Sequence, residues 1–454
     1  MFTYIRLKNF MSFGDIEFDF RKNAKTAKNF IALYGENGCG KSNFVKSIDF
    51  LCNAITSLSQ LNEFQELAEN IALADKEHLP MILDMIKGRY DIAKRMAESR
   101  MADCNESTEA EYVFLVDGKE WVYRLVFDER FTEESLYGYQ DRKSGYIYQL
   151  SAAEDGTIEK KFWGGLFKSA KGKEDFLNLI EKYWGKHTFL SIIFNQLQNT
   201  NIQYMAESMS SKAGILISEI VRISVCQMGC DRKSVRMNPR PHTLLTDVRN
   251  GEIEESDLPK LALTEKILKK FLTQTYADIK DISYETTRSE DGDIEYQLYI
   301  DKMIAGKVRR ISAEQESAGT QRILDVFRII LGSFFGITVV YDEIDNGIHD
   351  LLLKNIIDCA RPYITGQLII TTHNTLLLES IDKHSAYLID VDYEGNKEAI
   401  CFDEYKIQGT DNMRIKYLKG LFGGTPYGDG VDYDEIISEL KEAGEDEEND
   451  EVTD

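Results

Sequence analysis

Gly35-Glu36-Asn37-Gly38-Cys39-Gly40-Lys41-Ser42 brings three glycines, a lysine and a hydroxyl into one short run. Glycines let backbone N–H groups converge on phosphate oxygens. A lysine at this spacing reaches the β- and γ-phosphates, and the serine hydroxyl can ligate Mg²⁺. The apolar run "NFIALY" (29–34) precedes the loop, and apolar residues at helical spacing follow Lys41. That is the strand–loop–helix setting the chemistry needs, and a chance glycine-rich turn has neither flank. Gly35, Asn37, Gly38, Cys39, Gly40, Lys41, Ser42 and Asn43 are therefore expected to hold a nucleotide, with Ser42 also on the metal. A helix N-terminus can lower the pKa of a thiol such as Cys39; a small residue tolerated in the loop is the simpler reading.

A second set of candidates lies far down the chain. The run "ITVVYD" (337–342) puts Asp342 at the carboxyl end of a buried strand, where ligands gather in parallel sheets. An acid there can bind Mg²⁺, and the adjacent Glu343 can polarise an attacking water. An isolated Asp-Glu pair would instead read as charge at a helix N-terminus; beside a phosphate loop the catalytic reading is preferred. One crossover helix later, "QLIITT" (367–372) ends at His373. This sets His373 next to Asp342, within reach of the γ-phosphate or the water.

These residues need a sheet built from both ends of the chain. Residues 2–9 and 15–20 alternate as strands, and the pattern from Lys41 to about Leu58 is helical, as are residues 60–103. "EYVFLVDGKEWVYRLVFDE" (111–129) is a hairpin turning at Asp117-Gly118, and 108–163 reads as an antiparallel β subdomain. Residues 164–281 read as a helical insertion or lid, broken by "QMGCDRKSVRMNPRPH" (227–242) as an exposed loop. Strands recur at 282–301. Then come helix 317–333, strand 337–342, helix 347–361, strand 367–372, helix 374–381 and strand 385–391. The expected units are a P-loop part (1–60), a helical insertion (61–107), the β subdomain, the second insertion, a second part of the head (282–395), an extension (396–434) and a tail (435–454).

Composition bounds the rest. No stretch approaches the ~20 apolar residues of a membrane span. The seven cysteines are scattered and odd in number, which fits reduced thiols in the cytoplasm. Cys226 and Cys230 lack a second pair at zinc-ligand spacing. The formal net charge is −23, and residues 435–454 hold ten acids against one lysine. Such a tail is expected to be disordered, as a solubilising segment or a docking arm. The body is acidic as well, which disfavours long-range attraction to DNA.

Together the phosphate loop, the Asp-Glu strand and the His strand resemble an ABC-type ATPase head of the RecF, SMC and OLD kind. The resemblance implies an α/β fold with a mixed, largely parallel sheet, an antiparallel β subdomain and a helical insertion, with ATP and Mg²⁺ as cofactors. It also implies a signature segment that meets the nucleotide of a second subunit, and "ESAGTQRILDVFRII" (316–330) fits. Ser317, Gly319 and Thr320 match that motif, while Ala318 replaces its first glycine and Glu316 its common leucine. Taken alone, Ser317 would read as an ordinary helix cap. A Mg²⁺-sensing glutamine should follow the antiparallel insertion, and Gln196 in "FLSIIFNQLQN" is preferred over Asn195 and Gln198.

Within that family the chain is similar to stand-alone ATPases of bacterial anti-phage systems, of the abortive-infection AbiL and PARIS types. Residues 413–431 match a C-terminal segment of that group. The resemblance implies a homodimer through ATP-sandwiched heads, with higher oligomers open. It also implies a separately encoded effector, often a TOPRIM-type nuclease, and a phage protein as trigger. The alternative is a RecF/SMC-like DNA-maintenance ATPase; no heptad run of SMC length appears. An OLD-type nuclease in one chain lacks room after His373.

Overall fold

The computed structural model describes residues 1–74, 91–228, 233–236, 241–289, 292–405, 412–424 and 432–440. The chain opens with β1 (Phe2–Phe10) and β2 (Phe13–Asp19), whose inward residues Phe2, Ile5, Leu7, Phe13, Ile16 and Phe18 are buried. A short β3 (Arg21–Asn23) and β4 (Thr26–Ala27) lead to β5 (Phe30–Tyr34), buried at every position. Alternation suits a strand with one wet face, and continuous burial suits a central parallel strand. After the loop, α1 (Lys41–Ala74) runs roughly 50 Å as one helix, past the break expected near residue 60. Residues 75–90 of the expected helical insertion lie outside the described residues, and α2 (Ile92–Ser99) follows.

The expected antiparallel subdomain forms as β6 (Thr108–Val116), β7 (Lys119–Phe127), β8 (Phe131–Tyr139), β9 (Ser144–Ala152) and β10 (Ile158–Phe162). It is not separate from the chain's start. The sheet order is β10-β9-β8-β7-β6-β1-β2, with β1 paired to β6. Helices α3 (Ala170–Tyr183), α4 (Phe189–Asn199), α5 (Ile202–Ser208) and α6 (Lys212–Ile220) come next, and α4 and α6 pack on α1.

The expected loop at 227–242 is in part a hairpin. β11 (Ser224–Met228) pairs with β12 (Lys233–Arg236) and, on its other edge, runs parallel to the strand at 338–341 of the second sheet. Residues 229–232 and 237–240 lie outside the described residues. β13 (Asn250–Ile253), α7 (Leu258–Thr275), β14 (Ile279–Arg288), β15 (Ile294–Ile304) and β16 (Lys307–Ser312) then build a small antiparallel sheet with its own core.

The second half of the head is α8 (Ala318–Phe334), β17 (Thr338–Tyr341), α9 (Asp350–Ala360), β18 (Gln367–Thr371), β19 (Ala386–Val391) and β20 (Lys397–Cys401). The helix expected at 374–381 is a single 3₁₀ stretch, Thr375–Glu379. The second sheet has the order β12-β11-β17-β18-β5-β19-β20, parallel from β11 through β19. α1 is the layer between the two seven-stranded sheets, and α8 and α9 cover the other face of the parallel one. Gln367 ties the sheets together: its amide accepts from Phe2 N at 2.8 Å and donates to Phe2 O at 2.9 Å.

Past β20, α10 (Met413–Leu418) buries Tyr417 against Tyr34 and Phe402. The acidic tail is not featureless from residue 435 as expected, because residues 433–440 form a helix, α11. Residues 441–454 lie outside the described residues. No helix among the described residues is long and apolar enough to cross a membrane.

Candidate nucleotide-binding site

β5 delivers the loop to the carboxyl edge of the parallel sheet, between β18 and β19. Gly35 has φ +144°, and a Cβ there would meet Cys39 Sγ at 2.6 Å and the Ile389 carbonyl oxygen at 2.8 Å. Gly40 has φ +113° and lies flat against Phe13, 2.5 Å from where a Cβ would sit. Only glycine meets both demands. Asn37 and Gly38 form the exposed crest of the loop. Lys41 is 6% exposed, and its Nζ donates to the carbonyl oxygens of Gly35 and Glu36 at 2.8 Å each. The loop thus wraps its own ammonium, and burial pulls the lysine's pKa down.

Cys39 is buried, and burial pushes its thiol up against the opposing pull of Lys41. This is the environment of a packed small residue, not of an activated thiolate. Asn43 does not turn into the loop: its amide donates to Ser12 Oγ at 2.7 Å. Lys397, on β20, donates to the same hydroxyl at 2.6 Å and to the Gly38 carbonyl at 3.2 Å. Ser12 and Lys397 are therefore residues of the site's rim that the sequence reading missed. Nothing local to "GNKEA" marks Lys397, because a strand pairing brings it in.

Asp342 follows β17 and is 3% exposed. Its backbone N–H donates to the Cys226 carbonyl at 2.8 Å. Thr371 Oγ1 donates to Asp342 Oδ1 at 2.6 Å and accepts the Glu343 N–H at 2.7 Å. Burial raises the Asp342 carboxyl pKa, opposed by hydrogen bonds from Thr371 and from Ser42. That contact brings the first turn of α1 against the Asp-Glu strand. Glu343 has φ +48°, a left-handed conformation that costs a non-glycine residue about 1–3 kcal/mol and recurs at functional sites. His373 donates its backbone N–H to Asp345 Oδ2 at 3.0 Å. Its ring reaches solvent, and partial desolvation followed by Lys41 draws its pKa below the ordinary histidine value.

Gln196 is not at this site. It lies on α4, where its carbonyl accepts from Thr200 Oγ1 at 3.0 Å. The neighbouring Asn195 bonds Ser59 and Asn62 of α1, and Gln198 is exposed on the same helix. Ser59 is seventeen residues beyond Ser42, about 25 Å along the helix axis. Gln227 lies on β11, the strand beside β17. It follows Cys226, whose register partner is Tyr341, one residue before Asp342. Strand alternation turns Cys226 toward α8 and α9, and so turns Gln227 toward the α1 face. Its Nε2 is buried without a hydrogen-bond partner among the described residues, an orphaned donor on the strand next to Asp342.

The signature-like segment stands apart from the phosphate loop. Ser317 caps α8, its Oγ accepting the Thr320 N–H at 3.2 Å. Ser317 and Ala318 are exposed, and Gly319 approaches the Gly347 carbonyl so closely that a Cβ would lie 3.0 Å from it. Thr320 is 2% exposed with its hydroxyl 2.9 Å from Ser317 Oγ. It braces the helix start and does not face outward as its place in the motif implied. Glu316, the departure from the motif, is a buried anchor: its carboxylate accepts from Lys302 at 3.0 and 3.1 Å and from Ser317 N at 3.0 Å.

Fold and phosphate loop together define a P-loop ATPase domain. The chain belongs to the AAA ATPase domain family (AAA_15), whose model matches residues 1–378. Among solved structures it is similar to an SmcHead bound to the C-winged helix domain of ScpA, at 13% identity over 88% of this chain and 97% of that one, with a TM-score of 0.41. It is similar also to the SMC head domain from Thermotoga maritima, at 12% identity over 88% and 98% with a TM-score of 0.35. A third is the Smc head domain with an extended coiled coil bound to the C-terminal domain of ScpA, derived from Pyrococcus furiosus, at 14% identity over 92% and 99% with a TM-score of 0.40. Identities this low transfer no residue roles. No curated protein sequence matches the chain.

Proposed function

We propose that this protein hydrolyses ATP as a two-headed switch and serves in the cytoplasm as the sensor or scaffold subunit of an anti-phage defence system. Two copies close on two ATP molecules to form a homodimer, and larger assemblies are built from such pairs. The observation that carries this reading is the division of the site. The phosphate loop, Asp342 and Glu343 converge on one edge of the sheet, whereas Ser317 and Ala318 are exposed at a helix start that leans on Gly347. A helix N-terminus presented outward in this way can receive the γ-phosphate bound by a second head.

Lys41 and the loop amides hold the phosphates. Ser42 and Asp342 fit Mg²⁺, because a hydroxyl and a buried carboxylate already in contact are hard oxygen donors. The ion supplies charge that offsets the phosphates' own. Glu343 takes the proton of the attacking water, His373 senses the γ-phosphate, and Gln227 takes the place expected for Gln196. The defence role draws on the motif resemblance and on residues 413–431. A separate toxic effector, a TOPRIM-type nuclease, is held until a phage protein triggers its release. In keeping with a scaffold, the chain between the two halves of the head folds back on α1 as a sheet and short helices.

Glu343→Gln tests the chemistry: it should still bind ATP but turn over at least about tenfold more slowly, and near-normal hydrolysis would sink the assignment. Co-purification with the neighbouring gene's product, with and without ATP, tests the defence role. One observation favours the DNA-maintenance alternative: Lys307 and Arg309 are exposed on β16 as a local cationic edge. Salt-sensitive DNA binding by the protein alone, without an effector complex, would decide for that reading.

A further inference from the structure

Two surfaces away from the nucleotide site remain unused. One is a groove on the outer side of the helical layer, walled by α7, α8 and α9, with a volume of about 630 Å³. Phe271, Phe327, Leu331, Phe334, Ile356 and Tyr363 line it. Lys270 stands on its rim, and Lys266 is exposed one turn earlier on α7. Lys260 and Lys269 of the same helix pair with Asp257 and Asp281. Lys266 and Lys270 have no ion-pair partner among the described residues.

The other surface is α11. Asp432 caps it, accepting the N–H groups of Asp434 and Glu435 at 3.1 Å each. Tyr433, Ile436, Ile437 and Leu440 fall at i, i+3, i+4 and i+7 and make one apolar stripe, the pattern of a helix that lies in a groove. Yet these side chains are 66%, 44%, 46% and 68% exposed. Asp434, Glu435 and Glu439 flank the stripe, and the chain continues into the acidic run of residues 442–454. An apolar groove rimmed by unpaired lysines and an acidic helix with a bare apolar stripe are complementary in shape and charge.

We propose that α11 of one copy docks in the α7–α8–α9 groove of a neighbouring copy, apolar stripe inward and acids against Lys266 and Lys270. The neighbour is favoured over the helix's own groove by reach. Residues 425–431 join α11 to Gly424, which lies against Leu388 of β19. With those seven residues between them, Gly424 and Asp432 are eight Cα steps apart, at most about 27 Å when fully extended. The route to the same copy's groove passes β5 and β18 toward β17, about 14 Å of sheet, and then a helix about 10 Å across. That path would hold the link, with its two glycines, almost straight, a loss of backbone freedom that docking on a neighbour does not require. One flank donating a helix while the opposite flank receives one is a heterologous contact, which joins copies into rings or chains. The contact does not depend on the nucleotide reading.

Cys359 lines the groove and is exposed, so its alkylation by a small maleimide, read by mass spectrometry, reports occupancy. In nucleotide-free full-length protein, labelling should slow at least about fivefold as concentration rises through the association range, and the mass from light scattering should rise in step. Ile436→Asp with Ile437→Asp should abolish both effects. Lys266→Glu with Lys270→Glu should weaken association at least about tenfold, and Glu435→Lys with Glu439→Lys should recover part of that loss. A fluorescent peptide of residues 432–454 should bind the Ile436→Asp/Ile437→Asp protein and protect its Cys359. Protection independent of protein concentration would mean that α11 folds onto its own copy. Labelling and mass unmoved by the isoleucine substitutions would mean that α11 does not fill the groove. Either result overturns the proposal.

Discussion

Thr371 holds both acids of the candidate site with one hydroxyl, donating to Asp342 Oδ1 and accepting from Glu343 N. Thr371→Val keeps its shape and removes both hydrogen bonds. Asp342 is buried and its carboxyl pKa is already raised, so loss of a donor to its ionised form raises it further. A hydrogen bond to a charged group contributes about 1.5–3 kcal/mol, and an orphaned buried N–H costs about 1–3 kcal/mol. Glu343 is held in the left-handed region, so without its anchor the turn is free to relax and carry the carboxylate off the water. If only about 1.4 kcal/mol of this reaches the transition state, turnover falls tenfold. The expected result is a loss of kcat of about ten- to a hundredfold. ATP affinity should change by less than about threefold, because the phosphate loop is untouched. Steady-state hydrolysis at saturating Mg-ATP, alongside titration with a fluorescent ATP analogue, separates the two. Thr371→Ser keeps the hydroxyl and should stay within about threefold of the native protein. A valine variant with native turnover, or a serine variant as impaired as the valine one, would refute the positioning argument.

Lys41→Ala removes the ammonium that the loop wraps and should abolish ATP binding by titration; unchanged affinity would refute the phosphate role. Gln227→Ala should shift half-maximal Mg²⁺ for hydrolysis upward while Gln196→Ala leaves it where it was, and the reverse pattern would restore the sequence-based choice. His187 is 6% exposed with Nδ1 2.9 Å from Ser57 Oγ, and burial, then Lys186, lowers its pKa from 6.5 to about 4. Between those values the unfolded chain binds a proton that the native one does not. Stability therefore falls as pH drops through that window, by up to ~3 kcal/mol. Urea melts at pH 7 and pH 4 should show a smaller loss for His187→Gln than for the native protein, and equal losses would argue against the buried neutral imidazole.

Much of the site is legible in the chain because its parts are contiguous. Gly35 and Gly40 are set by backbone conformation and close contact within a few residues, and Lys41 and Ser42 follow from the helix they open. Asp342 and His373 stand at the ends of short, mostly apolar runs, which mark buried parallel strands. Gln227 was missed because "SVCQM" is a strand only by virtue of its parallel pairing with β17. No local period announces it. Gln196 misled for the converse reason: it follows an apolar run, but Thr188 caps that run as the start of a helix.

By itself the sequence determined the phosphate loop and the strand ends that carry Asp342, Glu343 and His373, since each rests on short-range geometry that a few neighbouring residues enforce. It also carried the alternation of β1 and β2. Only the tertiary structure decided which sheet those strands join, that Thr320 is buried, that Lys397 and Ser12 meet the loop, and that α11 stands bare beside no core of its own. These outcomes depend on which distant segments pair and pack, and the free energy that selects among such pairings comes from partners that no local window contains.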